Sequence, residues 1–166
     1  MTTMTPKIKA DPNYPFYQAY HDNNYILRHD CSKNVPIYEP KEKREYRLLN
    51  KKAKEIVVYK IDGGLVKGNS CLKCDYGIYT EDNWLFLIEL KGTDIDHALK
   101  QLNSTIDILL KRPYIKVKEL KIRIVLSKVP VPRISSSKEK IFKQRLHKLY
   151  RNWDYIKRSR TLEDSI

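Results

Sequence analysis

Asp75, Glu89 and Lys91 are the residues of this sequence whose types and spacing suit chemistry. Glu89 and Lys91 stand two apart in the apolar run 84–91 (WLFLIELK). Period-two alternation therefore sets them on one face of a strand, with Leu90 turned to the opposite layer. A carboxylate and an ammonium emerging from so apolar a strand are costly without a partner such as a metal ion or a phosphate. If the strand containing Asp75 pairs with this one through the turn Glu81-Asp82-Asn83, a twisted hairpin brings the two carboxylates together. Phosphodiester hydrolysis is the chemistry that suits the cluster. Two carboxylates hold Mg²⁺, or Mn²⁺ in its place, through oxygen, and the metal polarises the scissile phosphate and lowers the pKa of water. The lysine orients or helps deprotonate that water, or stabilises the developing charge. The plainer alternative is an ion pair of Glu89 with Lys91 at an exposed strand end, with Asp75 in a turn.

The elements that must position these residues follow from periodicity. Residues 1–38 are rich in Tyr, Asn, Asp and Pro without a helical or strand repeat, and are expected to form an irregular arm. Its aromatics Tyr14, Phe16, Tyr17, Tyr20 and Tyr25 either pack on the domain or stack on bases. Residues 39–54 (EPKEKREYRLLNKKAK) place good helix formers around a stripe of Tyr46, Leu49 and Ala53, which predicts a helix. Residues 56–61 (IVVYKI) read as a strand ending at Asp62-Gly63-Gly64, followed by a flexible loop (LVKGNS). Residues 71–80 and 84–91 read as an antiparallel hairpin whose second strand is covered on both faces. Asp94 caps a helix in which Ile95, Ala98, Leu99, Leu102, Ile106 and Leu109 recur until Pro113. A strand over 120–126 follows, then a basic helix over 138–150 capped from Ser135 to Ser137. This order predicts one α/β domain with a mixed central sheet flanked by helices: an arm (1–38), a catalytic core (39–127) and a basic helical extension (128–166).

The motif Cys74-Asp75-Tyr76-Gly77-Ile78, followed by LFLIE and then Leu90-Lys91-Gly92, resembles the PD-(D/E)XK nuclease superfamily, which includes restriction endonucleases and archaeal Holliday-junction resolvases. The resemblance covers residues 40–127, and the superfamily's core of helix, three strands, helix and strand agrees with the order read above. It implies a restriction-endonuclease-like fold, a metal set of Asp75, Glu89 and Leu90, and a Lys91 that assists the attacking water. It also implies an acidic residue on the first helix, best matched by Glu45 and next by Glu42, although a solvated helix residue fits Glu45 equally well. Gln101 resembles a Gln that several branches carry on the helix after the lysine strand, a position that exposure alone also explains. The proline that often precedes the first Asp is Cys74 here.

In 166 residues, 33 Lys and Arg against 20 Asp and Glu leave a formal charge of +13, which favours a polyanionic partner, nucleic acid first. A basic surface also serves solubility alone. Lys67 and Lys73 flank the loop before Asp75 as candidate phosphate contacts, and Arg133 and Lys143 belong to the later basic stretch. Lys111, Arg112, Lys116, Lys118, Lys121 and Arg123 add to that surface. No base-reading motif is recognisable, and a single domain points to a homodimer or a partner protein for recognition. No apolar run approaches the ~20 residues that span a bilayer, and no apolar signal core follows the first lysine. Three cysteines cannot all pair within one chain, which fits a reducing, cytoplasmic setting. Cys71 and Cys74 hold zinc only if two more ligands, such as Cys31 and His29, come close; a buried core thiol is the simpler account. His97, at a helix start, reads as a surface residue. The expectation is a Mg²⁺-dependent nuclease cutting DNA by in-line attack. The alternatives are a module of the same fold that binds nucleic acid or a partner without cleaving, and an RNA-directed enzyme of the same chemistry.

Overall fold

The computed structural model describes residues 5–39, 41, 43–113, 115–128 and 136–166, and of Lys91 the backbone alone. In chain order its elements are α1 (Pro15–Ala19), β1 (Ile26–Asp30), β2 (Asn34–Glu39), β3 (Arg44–Leu49), β4 (Ile56–Lys60), β5 (Tyr76–Thr80), β6 (Trp84–Lys91), α2 (Ile95–Leu109), β7 (Glu119–Leu126), α3 (Ser137–Leu149), β8 (Trp153–Ser159) and β9 (Thr161–Ser165). Six strands form the main sheet in the order β1-β4-β5-β6-β7-β8, and β2-β3-β9 form a second, smaller one. The main sheet is antiparallel from β1 to β6 and parallel from β6 to β8, so α2 and α3 serve as the crossovers that parallel neighbours require. The result is mixed α/β, as expected.

Two apolar layers hold it together. On one face of the main sheet, Leu85, Leu87, Ile122 and Ile124 meet Ala98, Leu102, Ile106, Phe142 and Leu146 of the helices, with Phe16 of the N-terminal segment. On the other, Phe86, Ile88, Leu90 and Val125 meet Val35, Ile37, Tyr46 and Leu48 of the second sheet. Alternate residues of β6 thus enter different cores, which is why its sequence is almost wholly apolar. The caps read from sequence are present: Asp94 accepts from His97 N at 2.9 Å, and Ser136 from Glu139 N at 3.1 Å. No helix among the described residues is long and apolar enough to cross a membrane.

Three expectations are corrected. The described residues of 39–54 form no helix: Arg44, Tyr46 and Leu48 are buried while Glu45, Arg47 and Leu49 are half-buried, a period of two, and the segment contains the end of β2 and all of β3. Good helix formers are overridden there by pairing with β2 on one side and β9 on the other. The N-terminal segment is not an irregular arm, since β1 and β2 belong to the two sheets, and Phe16, Tyr20, Tyr59 and Tyr79 pack ring against ring. The C-terminal extension is not only helical, because β8 closes the main sheet and β9 joins the second. Helices therefore cover one face, and a sheet covers the other.

Candidate active site

Asp75 lies one residue ahead of β5, in a segment fixed from two sides. Its carbonyl accepts from Ile61 N at 3.0 Å and Asp62 N at 3.3 Å, which ties it to the end of β4. From α2, Thr105 Oγ1 accepts from Cys74 N at 2.8 Å, and Gln101 Nε2 donates to Lys73 O at 3.1 Å. Thr105 in turn donates to Gln101 O at 2.8 Å. Two adjacent turns of one helix thereby hold the two residues that precede the carboxylate.

The β5–β6 ladder ends at Tyr76 paired with Ile88, so Asp75 faces Glu89 one step beyond it. Asp75 N donates to Glu89 Oε2 at 3.2 Å, and Asp75 Oδ2 accepts from Leu90 N at 2.8 Å. Glu89 is 1% exposed. The hairpin therefore brings the two expected carboxylates together, one of them buried. Two carboxylates at facing strand positions favour positive charge beside them. Lys91 ends β6 opposite Leu126, two residues past Glu89, and its side chain lies outside the described structure.

Asp75 and Glu89 offer carboxylate oxygens, the donor type that hard cations take. Among the described residues no group of three or more His, Cys, Asp or Glu could hold a metal, so zinc at Cys71 and Cys74 with Cys31 and His29 is not supported. His29 Nε2 instead lies 2.7 Å from Glu55 Oε1. Cys74 is fully buried, and burial first, then the charges of Glu89 and Asp75, push its thiol well up, as for a core thiol. A pair of carboxylates completed by water and phosphate is a common Mg²⁺ arrangement. Gln101 Oε1, in the same α2 clamp, is buried without a hydrogen-bond partner among the described residues.

The other expected site residues lie in varied surroundings. The Leu90 carbonyl accepts from Arg44 Nη1 at 2.9 Å, so as it stands a divalent cation on that oxygen would meet a fixed guanidinium. Glu45 lies between buried Arg44 and buried Tyr46, hence on the outer face of β3, where its Oε1 accepts from Arg47 Nε and Nη2 at 3.0 and 2.7 Å. It is turned away from the carboxylate pair; Glu42 lies outside the described residues. Lys73 is 6% exposed, with its Nζ bonded to Gly68 O and 3.6 Å from Asp62 Oδ1, so it fastens a loop and does not await a phosphate. Arg123 is buried between the sheets, where its Nε donates to Asp164 Oδ2 at 2.5 Å. Lys121 lies 2.9 Å from Asp154 Oδ2 and 4.8 Å from the Trp84 ring centroid. Lys67 is exposed, while Lys143 is half-buried with Nζ 4.7 Å from the Tyr155 ring centroid. Arg133 lies outside the described residues.

Sequence reasoning missed Arg44 and Thr105. Arg44 was hidden by the helix assignment, although its alternation with Tyr46 and Leu48 marks an inward strand position. Thr105, four residues after Gln101 on the apolar stripe of α2, formed a polar pair on a buried face, and that was the available signal. No protein-family model matches the chain, and neither a curated protein nor a solved structure matches it.

Proposed function

We propose that the chain is a metal-dependent nuclease of the PD-(D/E)XK type that hydrolyses phosphodiester bonds, of DNA rather than RNA. The observation that carries this reading is the juxtaposition of Asp75 and Glu89 at the open end of the β5–β6 hairpin, with Lys91 two residues further along the strand. Asp75 and Glu89 hold the cation. When bound, Mg²⁺ or Mn²⁺ supplies charge stabilisation to the phosphate and acidity to a water molecule. Lys91 orients that water or neutralises charge on the phosphate. Gln101 and Thr105 are positioning residues, fixing the backbone from which Asp75 projects. Two copies, or one copy with a protein partner, cut both strands of a duplex.

A second reading has its own observation. Arg44 places positive charge on the Leu90 carbonyl, which is how a nucleic-acid-binding module without autonomous cleavage would neutralise this end of the sheet. Cleavage of a panel of linear duplex, single-stranded and branched DNA and RNA, with Mg²⁺, with Mn²⁺ and with chelator, separates the two. Metal-dependent cutting is expected. Salt-sensitive binding without cutting under any metal would favour the silent module.

A further inference from the structure

A cavity of about 500 Å³ lies away from the carboxylate pair, where the C-terminal ends of α2 and α3 meet the segment entering β7. Six cations line it: Lys111, Arg112, Lys116, Lys118, Arg145 and Arg151. Asp107 is the only acid among its described lining residues, and Arg145 Nη2 already bonds it. The carbonyl ends of the two helices contribute about half a negative charge each, so the cavity keeps a net positive charge. Capping of helix ends accounts for only a small part of that excess. The interior is apolar, formed by Ile106, Leu110 and Ile115, and Leu149 stands 53% exposed at its edge. The cationic rim is held in place by backbone bonds: Lys118 N donates to Asn83 O at 2.7 Å, and Asn83 Nδ2 donates to Lys116 O at 3.1 Å. The lysine side chains take no part in those bonds.

A cationic rim around an apolar floor matches a ligand that joins phosphate to a flat, apolar-faced base. We propose that this cavity binds an unpaired nucleotide of a nucleic-acid strand, its phosphate among the lysines and arginines and its base against Leu149 and the floor. The inference rests on the preceding section in taking nucleic acid as the partner, and adds a second anchor on the strand. From Gln101, which bonds the Asp75 segment, to Leu110 at the cavity, α2 rises about 14 Å. At ~3.4 Å per nucleotide the anchored nucleotide lies about four from the cut.

Binding of a fluorescent oligothymidylate single strand, measured by anisotropy in chelator so that no cutting occurs, tests the proposal. Lys116→Glu with Lys118→Glu should weaken binding at least tenfold and reduce the slope of log affinity against log salt by about 1.4, the value for two lost phosphate contacts. Leu149→Asp should weaken it further. Lys51→Glu with Lys52→Glu, an equal charge change on the turn after β3, should leave the slope as in the unaltered protein. Equal losses in both double variants, or no loss in the cavity variant, would overturn the anchor. Failure of the unaltered chain to bind the strand, with cleavage of other substrates retained, would overturn the anchor and spare the nuclease. Neither binding nor cleavage of any nucleic acid would remove both.

Discussion

Thr105 holds the Cys74 N–H and Arg44 holds the Leu90 carbonyl, on either side of the carboxylate pair. Glu89 and Lys91 betrayed themselves because charge is conspicuous in an apolar strand, whereas Thr105 and Arg44 act through single hydrogen bonds that no spacing rule announces. Thr105→Val leaves the Cys74 N–H buried and unpaired, so we expect a loss of about 1–3 kcal/mol in denaturant unfolding. Cleavage should fall by roughly 10–100-fold, the usual effect of a residue that supports a metal ligand, with Thr105→Ser restoring both. Arg44 makes a different prediction. Removing a fixed cation from the Leu90 carbonyl should raise Mn²⁺ affinity about tenfold or more in Arg44→Met, read by calorimetric titration, and leave it unchanged in Arg44→Lys. A lower affinity in Arg44→Met would show that the arginine supports the metal site.

Among the elements, those with long local periodicity were readable: β4, β6, α2, β7 and α3 lie within a residue or two of where their apolar spacing put them. Several of the strands that were not readable take their state from distant partners. β3 consists largely of helix formers and is extended because it lies between β2 and β9, the latter parallel to it and more than 100 residues later. β8 (WDYIKRS) and β9 (TLEDS) carry too few apolar residues to alternate, and pair because β7 and β3 offer open edges. The unreadable β3 is also the source of Arg44, so the missed element and the missed site residue are one error.

Across the whole molecule, the two sheets are joined by buried charge as well as by apolar packing. Arg123 reaches Asp154 and Asp164, and Tyr46 Oη donates to Asp164 Oδ2 at 2.9 Å, which fastens the C-terminal strand to the main sheet. Burial alone would raise the Asp154 carboxyl, but bonds from Arg123 and Lys121 outweigh it and hold it below its usual range. A carboxyl lowered on folding stabilises fully above its unfolded value of about 3.9, and that contribution is lost as pH falls through the lower folded value. Asp154→Asn should therefore flatten the acid limb of stability below about pH 4 in thermal melts across pH; an unchanged limb would remove Asp154 from the account. Glu89→Gln keeps the shape of a buried side chain and removes its charge from beside Asp75. Metal-dependent cleavage by Glu89→Gln, measured beside its melting temperature in chelator, separates a catalytic role from a structural one. Cleavage should fall more than about a hundredfold, beyond the effect of a supporting residue, with a melting temperature equal to or above that of the unaltered protein. Cleavage retained in a folded Glu89→Gln protein would contradict the catalytic role.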